Sequence, residues 1–377
     1  MLNMLEIIVP AATPSIFQVI WLILVAVLWA GFFFFEGFDF GVGMLVPFLG
    51  KSDEQRRVMI NALGPHWDGN EVWLLTAGGA MFAAFPAWYA TLFSGLYLPL
   101  LLVLLGLILR GVAFEYRSKN EGKLWRTVFD WMIAVGSFLP PLVFGVGFAN
   151  FVKGVPVVPC SAHASIDFAA CETAFGDPLL VPRIFWEVFD AFTLVGGLLF
   201  VCLFVAHGSF FIALKTRGEI KDRAQKFGNI LGIVAFILAA VFVVWANLVY
   251  FGAEATPGQL PLLGILAWIT GALAVVGIGF AWFMNSKNRD GWAFIGTTLG
   301  TVLLTVMFFC FFYPGLGFAN IVDGAATMDI TTASSSQHTL VLMTIAAGVL
   351  VPIVLAYTAW SYFFVFRRRL SVENIPA

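Results

Sequence analysis

The chain has 377 residues, 60% of them hydrophobic and 11% charged, with a formal net charge of −2. A soluble domain carries roughly a quarter of its residues as charges, so this composition excludes one, and the near-neutral balance speaks against a nucleic-acid partner. Long unbroken apolar runs, rather than short alternating ones, exclude a β-barrel and predict an all-α polytopic protein in a lipid bilayer.

Residues 1–14 include Glu6, Pro10 and Pro14 and no basic stretch, so no cleavable signal peptide is expected. Nine apolar runs of spanning length follow. They lie at about 15–35 (continuing past Asp39 toward 48), 72–92, 94–114, 130–152, 186–214, 227–250, 260–284, 291–313 and 339–366. A helix needs about 20 residues to cross the hydrocarbon. Only Pro86 and the Ser94-Gly95 pair separate the second run from the third.

The basic residues test this count. With loops alternating and the C-terminus inside, eighteen of the twenty lysines and arginines fall inside. Lys153 and Arg183 are left outside. The positive-inside rule then predicts an outside N-terminus and a cytoplasmic C-terminus. The 155–185 loop is outside, with Cys160 and Cys171 as a candidate disulfide if that compartment is oxidising. Cys202 and Cys310 sit within apolar runs and read as packing residues.

One internal repeat is visible. Val146-Gly147-Phe148-Ala149-Asn150 returns as Leu316-Gly317-Phe318-Ala319-Asn320, 170 positions on, and Glu36-Gly37 faces His207-Gly208 at an offset of 171. Spans one to four therefore correspond to spans five to eight. The expected architecture is a four-helix repeat over 1–154, an external loop over 155–185, a second four-helix repeat over 186–324, and a peripheral ninth helix with a cytoplasmic tail over 325–377. An even number of spans per copy keeps the copies parallel, unlike the inverted repeats of many transporters. No pair of broken helices at matching positions is expected.

Two polar clusters interrupt the apolar runs. Glu36 and Asp39 lie three apart on the first span, among Gly31, Gly37, Gly41 and Gly43, which permit close approach of a neighbour. Intramembrane acids mark proton relays or ion sites; the structural alternative is pairing across helices, for example with Arg110. His66, Asp68 and Glu71 lie at the cytoplasmic mouth of the second span, where Pro65 suits a first helical turn. Asp68 and Glu71 share a helix face. Two carboxylates and an imidazole pass protons when water connects them; the alternative is that Asp68 or Asn70 caps the helix. Arg110 ends the third run and suits either a partner for these acids or a snorkelling arginine. Of the four histidines only His207 lies deep in an apolar run, without a clear mate at its depth. This chain is therefore expected to ligate no haem and no metal. Met, Phe and Trp stripes suit helix packing and a quinone groove equally, and the sequence does not place such a groove.

Several long motifs resemble one family. They are Glu36-Gly37-Phe38-Asp39-Phe40-Gly41-Val42-Gly43-Met44-Leu45, His66-Trp67-Asp68-Gly69-Asn70-Glu71-Val72-Trp73-Leu74, Thr76-Ala77-Gly78-Gly79-Ala80, Gly136-Ser137-Phe138-Leu139-Pro140-Pro141 and Val351-Pro352-Ile353-Val354-Leu355-Ala356-Tyr357-Thr358-Ala359-Trp360. Together they are similar to subunit II of the cytochrome bd-type quinol oxidases, over nearly the whole chain except the 155–185 loop. The resemblance implies a terminal oxidase of the bacterial or archaeal inner membrane that oxidises quinol and reduces dioxygen to water without pumping. It implies a partner subunit I carrying two b-type haems and one d-type haem (or b-type), together with the quinol-oxidising loop. It also implies, in some relatives, a small single-span subunit and a structural quinone in subunit II. By the same resemblance Asp68 matches an aspartate proposed to feed protons toward the oxygen site, and Asp39 and Arg110 match positions on the same polar side. Glu36 stands where some relatives have aspartate, which keeps the acid and lengthens the arm.

Two other readings compete. A stand-alone ion or solute transporter would use Glu36, Asp39 and Asp68 as its ion site. A pure scaffold for subunit I would need none of these acids for turnover.

Overall fold

The computed structural model describes residues 13–159, 179–180, 185–252, 261–320, 328–362 and 369–374. These form α1 (Ile16–Leu49), α2 (Asp53–Leu63), α3 (Trp67–Ala84), α4 (Pro86–Gly95), α5 (Tyr97–Tyr116), α6 (Lys123–Lys153), α7 (Ala191–Lys215), α8 (Glu219–Gly252), α9 (Pro261–Ser286), α10 (Asp290–Phe312) and α11 (Gln337–Trp360). Among the described residues eight helices are long and apolar enough to cross a bilayer, and α3 with α4 makes a ninth if the pair is one broken span. Cys160 and Cys171 lie outside the described residues.

Local chemistry explains the helix ends. Ser15 and Gln18 close a reciprocal capping box at the start of α1, and Asp190 with Thr193 does the same for α7. Pro86 opens α4 at its first position, where no backbone N–H is needed, and the preceding Phe85 leaves the helical region at φ −133°. The chain bends by 119° there. This is the one broken helix pair among the described residues, and α8 runs unbroken for 34 residues.

Helix α1 is the centre of the fold, packed on α3, α6, α7 and α10. In the second half α7 packs on α8, α8 on α9, α9 on α10 and α10 back on α7. Helix α11 leans on α1 from outside, with Leu340 its one buried residue. The two halves meet where α1 crosses α7. A Cβ at Gly41 would run into the Phe204 carbonyl, and one at Gly208 would lie 2.5 Å from the Gly41 carbonyl carbon. Only glycine lets the backbones approach this closely. Around the crossing, Phe32, Phe33, Phe38, Phe40 and Phe204 are fully buried, and Phe38 stacks on Phe211 at 4.2 Å.

A small three-stranded sheet was not legible as such. β1 (Val155–Pro159) pairs antiparallel with β2 (Leu179–Leu180) and parallel with β3 (Phe318–Asn320), Val155 opposite Phe318. The two occurrences of the Gly-Phe-Ala-Asn motif differ locally. Phe148–Asn150 are helical in α6, whereas α10 stops at Phe312 and Gly317, at φ +78°, turns Phe318–Asn320 into a strand.

Most of the ion pairs among the described residues lie toward the helix ends. Asp53 takes Arg117 at 2.9 Å and Arg126 at 2.5 Å; Asp130 takes Arg56 at 2.7 Å and Arg117 at 2.5 Å. At the same end the Leu370 N–H donates to the Lys215 carbonyl. Lys153 pairs with Asp190 at the far end of α6.

Candidate functional site

Three residues along a helix return a side chain to nearly the same face, so Glu36 and Asp39 look outward from α1 together. Both are fully buried, as is Arg110. The Arg110 Nη1, from α5, donates to Glu36 Oε1. Its guanidinium lies 4.6 Å from the Phe40 ring centre and 5.5 Å from that of Phe114. Asp39 Oδ2 accepts a 2.7 Å hydrogen bond from Asn70 Nδ2, on α3. The same amide nitrogen reaches the Phe35 carbonyl at 3.4 Å. The Tyr362 hydroxyl, just beyond α11, donates to Asn70 Oδ1 at 2.8 Å. The Tyr362 ring stacks flat on His66 at 4.2 Å and tilts against Phe35 at 5.4 Å. Helices α1, α3 and α5 thus meet at one buried acid pair, with Tyr362 backing Asn70.

The expected site residues divide into two groups. Glu36, Asp39 and Arg110 come together in the interior, and the longer arm of Glu36 is what meets Arg110. A snorkelling Arg110 is ruled out, because its side chain has no exposure. His66, Asp68 and Glu71 occupy the approach: His66 is buried, Glu71 half-buried and Asp68 exposed. Burial, with the Lys215 charge second, pushes the His66 imidazole down to about 4. Glu71 is within electrostatic reach of Glu36. No direct hydrogen bond joins Asp68 to Asp39 among the described residues. The capping expectation for this stretch fails. Helix α3 has no side-chain cap, His66 holds the cap position with Pro65 in the turn before it, and Asn70 turns its amide to Asp39 instead.

Asn70 and Tyr362 are the residues that sequence reasoning missed as site members. Asn70 lies inside the motif that carries Asp68, which was a usable signal. Tyr362 lies two positions past a motif that ends at Trp360 and had none.

His207 is fully buried, yet both ring nitrogens are engaged. Nδ1 is 2.6 Å from Thr297 Oγ1 and Nε2 is 3.3 Å from the Phe34 carbonyl, while the ring stacks on Phe294. No group of three or more metal-ligating side chains occurs among the described residues. A cavity of about 650 Å³ opens between α1, α9 and α10, lined by apolar residues such as Val27, Ala30, Leu266, Val306 and Phe309.

Residues 17–365 match the family described as cytochrome bd terminal oxidase subunit II. The chain is 39% identical over 356 residues to cytochrome bd ubiquinol oxidase subunit 2 of Bacillus subtilis (strain 168), covering 93% of this chain and 96% of that one. It is 36% identical over 390 residues to cytochrome bd-I ubiquinol oxidase subunit 2 of Escherichia coli (strain K12), covering 96% and 97%. Among solved structures, a chain of the bd oxidase from Geobacillus thermodenitrificans superposes with a TM-score of 0.69 at 16% identity, covering 93% of this chain and 99% of that one, which speaks for the fold alone. The transporter reading finds no support in these matches.

Proposed function

Because the chain belongs to the family of cytochrome bd terminal oxidase subunit II, we propose that it is the haem-free subunit that supports subunit I and delivers protons to it through its buried acids. As a member of that family it is a multi-pass membrane subunit of an oxidoreductase complex that contains haem. The reaction is oxidation of quinol by dioxygen. Reducing dioxygen to water consumes protons along with electrons, and a buried oxygen site needs a route for them. The arrangement that carries this reading is the Glu36–Asp39 pair, sealed from lipid and held by Arg110 and Asn70. Intramembrane acids facing protein rather than lipid are the usual parts of such routes. The exposure of Asp68 suits uptake from water, Glu71 and His66 line the approach, and Glu36 and Asp39 are the inner relay.

The histidines support placing the haems (two b-type and one d-type, or b-type in its place) in subunit I. His207 spends both ring nitrogens within the fold, and His66 is stacked face-on against Tyr362; neither offers an axial ligand. The haems supply electron transfer and oxygen binding; this chain supplies packing and protons. A structural quinone in this subunit would take the apolar cavity, where Val27, Ala30 and Val306 would meet its tail. Subunit I and any small single-span subunit have wide apolar surface to cover on α3, α5 and α11, including Leu75, Ile108 and Ile345.

The orientation we propose has the N-terminus outside and the C-terminus cytoplasmic, in the inner membrane of a bacterium or archaeon. The gathering of Arg56, Arg117, Arg126 and Lys215 at one end supports it.

The test is an absorption spectrum of the complex pulled down through this chain, oxidised and dithionite-reduced, with quinol-dependent oxygen uptake on the same sample. Reduced b- and d-type bands with uptake are expected. A colourless, inactive yet intact preparation would overturn the assignment. Wild-type turnover with Asp39→Asn and Glu36→Gln would leave only the scaffold role.

A further inference from the structure

We propose that Glu36 and Asp39 hold one proton between them, as a shared-proton carboxyl pair clamped by Arg110 on one side and Asn70 on the other. Each carboxyl group has one oxygen already committed: Glu36 Oε1 to Arg110 and Asp39 Oδ2 to Asn70. The two remaining oxygens, Glu36 Oε2 and Asp39 Oδ1, are buried without a partner. Glu36 and Asp39 lie three residues apart on α1 and are both fully buried, so helical spacing sets their carboxyl groups side by side on one face. Ionised carboxylate oxygens can only accept, so two facing each other repel and both stay unsatisfied. One proton turns one of them into a donor and satisfies both.

The clamps decide where that proton sits. Asn70 Oδ1 accepts from the Tyr362 hydroxyl, and the Phe35 carbonyl can only accept from Asn70 Nδ2. The amide nitrogen is therefore fixed as the donor to Asp39 Oδ2, which must accept. Arg110 has only donors, so Glu36 Oε1 must accept as well. That leaves Glu36 Oε2 and Asp39 Oδ1 as the two oxygens that can carry the proton.

Charge counting gives the same answer. Around the pair, α5 contributes the cation Arg110 and α3 contributes Glu71 and neutral Asn70. Tyr362 follows α11 and is neutral, and α7 meets α1 through the uncharged Phe204 and Gly208. Two ionised acids against one guanidinium would leave an uncompensated charge in a dry interior, which is strongly disfavoured. One shared proton brings Glu36, Asp39 and Arg110 to neutrality. Like-charged neighbours that share a proton titrate as a unit. If the proton-delivery reading above holds, this pair is its storage step.

The test is infrared difference spectroscopy of the intact complex in H₂O and D₂O. A protonated-carboxyl C=O band that moves in D₂O is expected. It should vanish in both Glu36→Gln and Asp39→Asn, because the single carboxylate left in each is balanced by Arg110. Loss in only one variant would pin the proton on one acid and overturn the sharing; so would a spectrum without any band that responds to either. Carbon-13 labelling of the carboxyl groups in the unmutated complex guards against variants that fail to assemble. Label on aspartate and label on glutamate should each shift the band, and a response to only one label also overturns the proposal. Oxygen uptake on the same samples separates the two ideas. Wild-type turnover in both variants with the expected band removes proton delivery and keeps the shared proton; slowed turnover without the band does the reverse.

Discussion

Replacing Arg110 with Met tests whether the buried ion pair holds the centre of the molecule together. Methionine keeps most of the stem and can still rest against Phe40 and Phe114 through its sulfur, so the change removes charge rather than volume. Arg110 and Glu36 have no exposure on either side. Deleting one partner of a buried pair costs about 3–5 kcal/mol, because the other is left uncompensated. At about 1.4 kcal/mol per decade that is a shift of roughly two to three and a half powers of ten in the folding equilibrium. The assay is denaturant-induced unfolding of the purified complex, followed by haem absorbance and helicity. Adding Glu36→Gln and Asp39→Asn together to Arg110→Met removes both acids that Arg110 had balanced and should restore part of the loss, with a coupling of about 1–3 kcal/mol in a cycle that treats the acid pair as one unit. A strictly additive cycle, or an Arg110→Met complex as stable as its parent, would refute the argument that the pair is desolvated and mutually dependent.

Three further outcomes are expected. Asp68→Asn should lower quinol-dependent oxygen uptake while the haem spectrum is retained; unchanged turnover across pH would take Asp68 out of the proton path. Gly41→Ala should cost about 1–3 kcal/mol by forcing α1 from α7 at the Phe204 carbonyl, whereas Gly291→Ala, with open space around it, should leave the unfolding midpoint unchanged or raised. His66 is held at about 4, below its ordinary 6.5, so the native state favours the neutral ring. Its stabilisation is complete above pH 6.5 and declines as pH falls toward 4. His66→Phe keeps the stack on Tyr362 and should flatten that decline; an identical acid limb in both proteins would show that His66 does not titrate against folding.

The sequence by itself determined the membrane class, the nine apolar runs and the family. Each of these depends on local composition or on contiguous motifs. The hydrocarbon demands about 20 apolar residues per crossing, and that demand is written along the chain. It also determined that Glu36 and Asp39 share a face, because helical spacing is local, and that His66, Asp68 and Glu71 cluster before a span. Tertiary structure alone decided which of these acids are sealed and which is open. Asp68 and Asn70 are two residues apart, yet rotation along α3 exposes the first and turns the second onto Asp39. The bend at Phe85–Pro86 was marked by its proline, but its 119° angle is set by what the two segments pack against. The small sheet needed Val155 and Phe318 to meet, and the closing of the acid pair needed Tyr362 to reach Asn70 from 292 residues away. Such long-range pairings leave no periodic trace in a sequence. They arise because a buried polar group must find a partner, and the fold alone determines which partner is within reach.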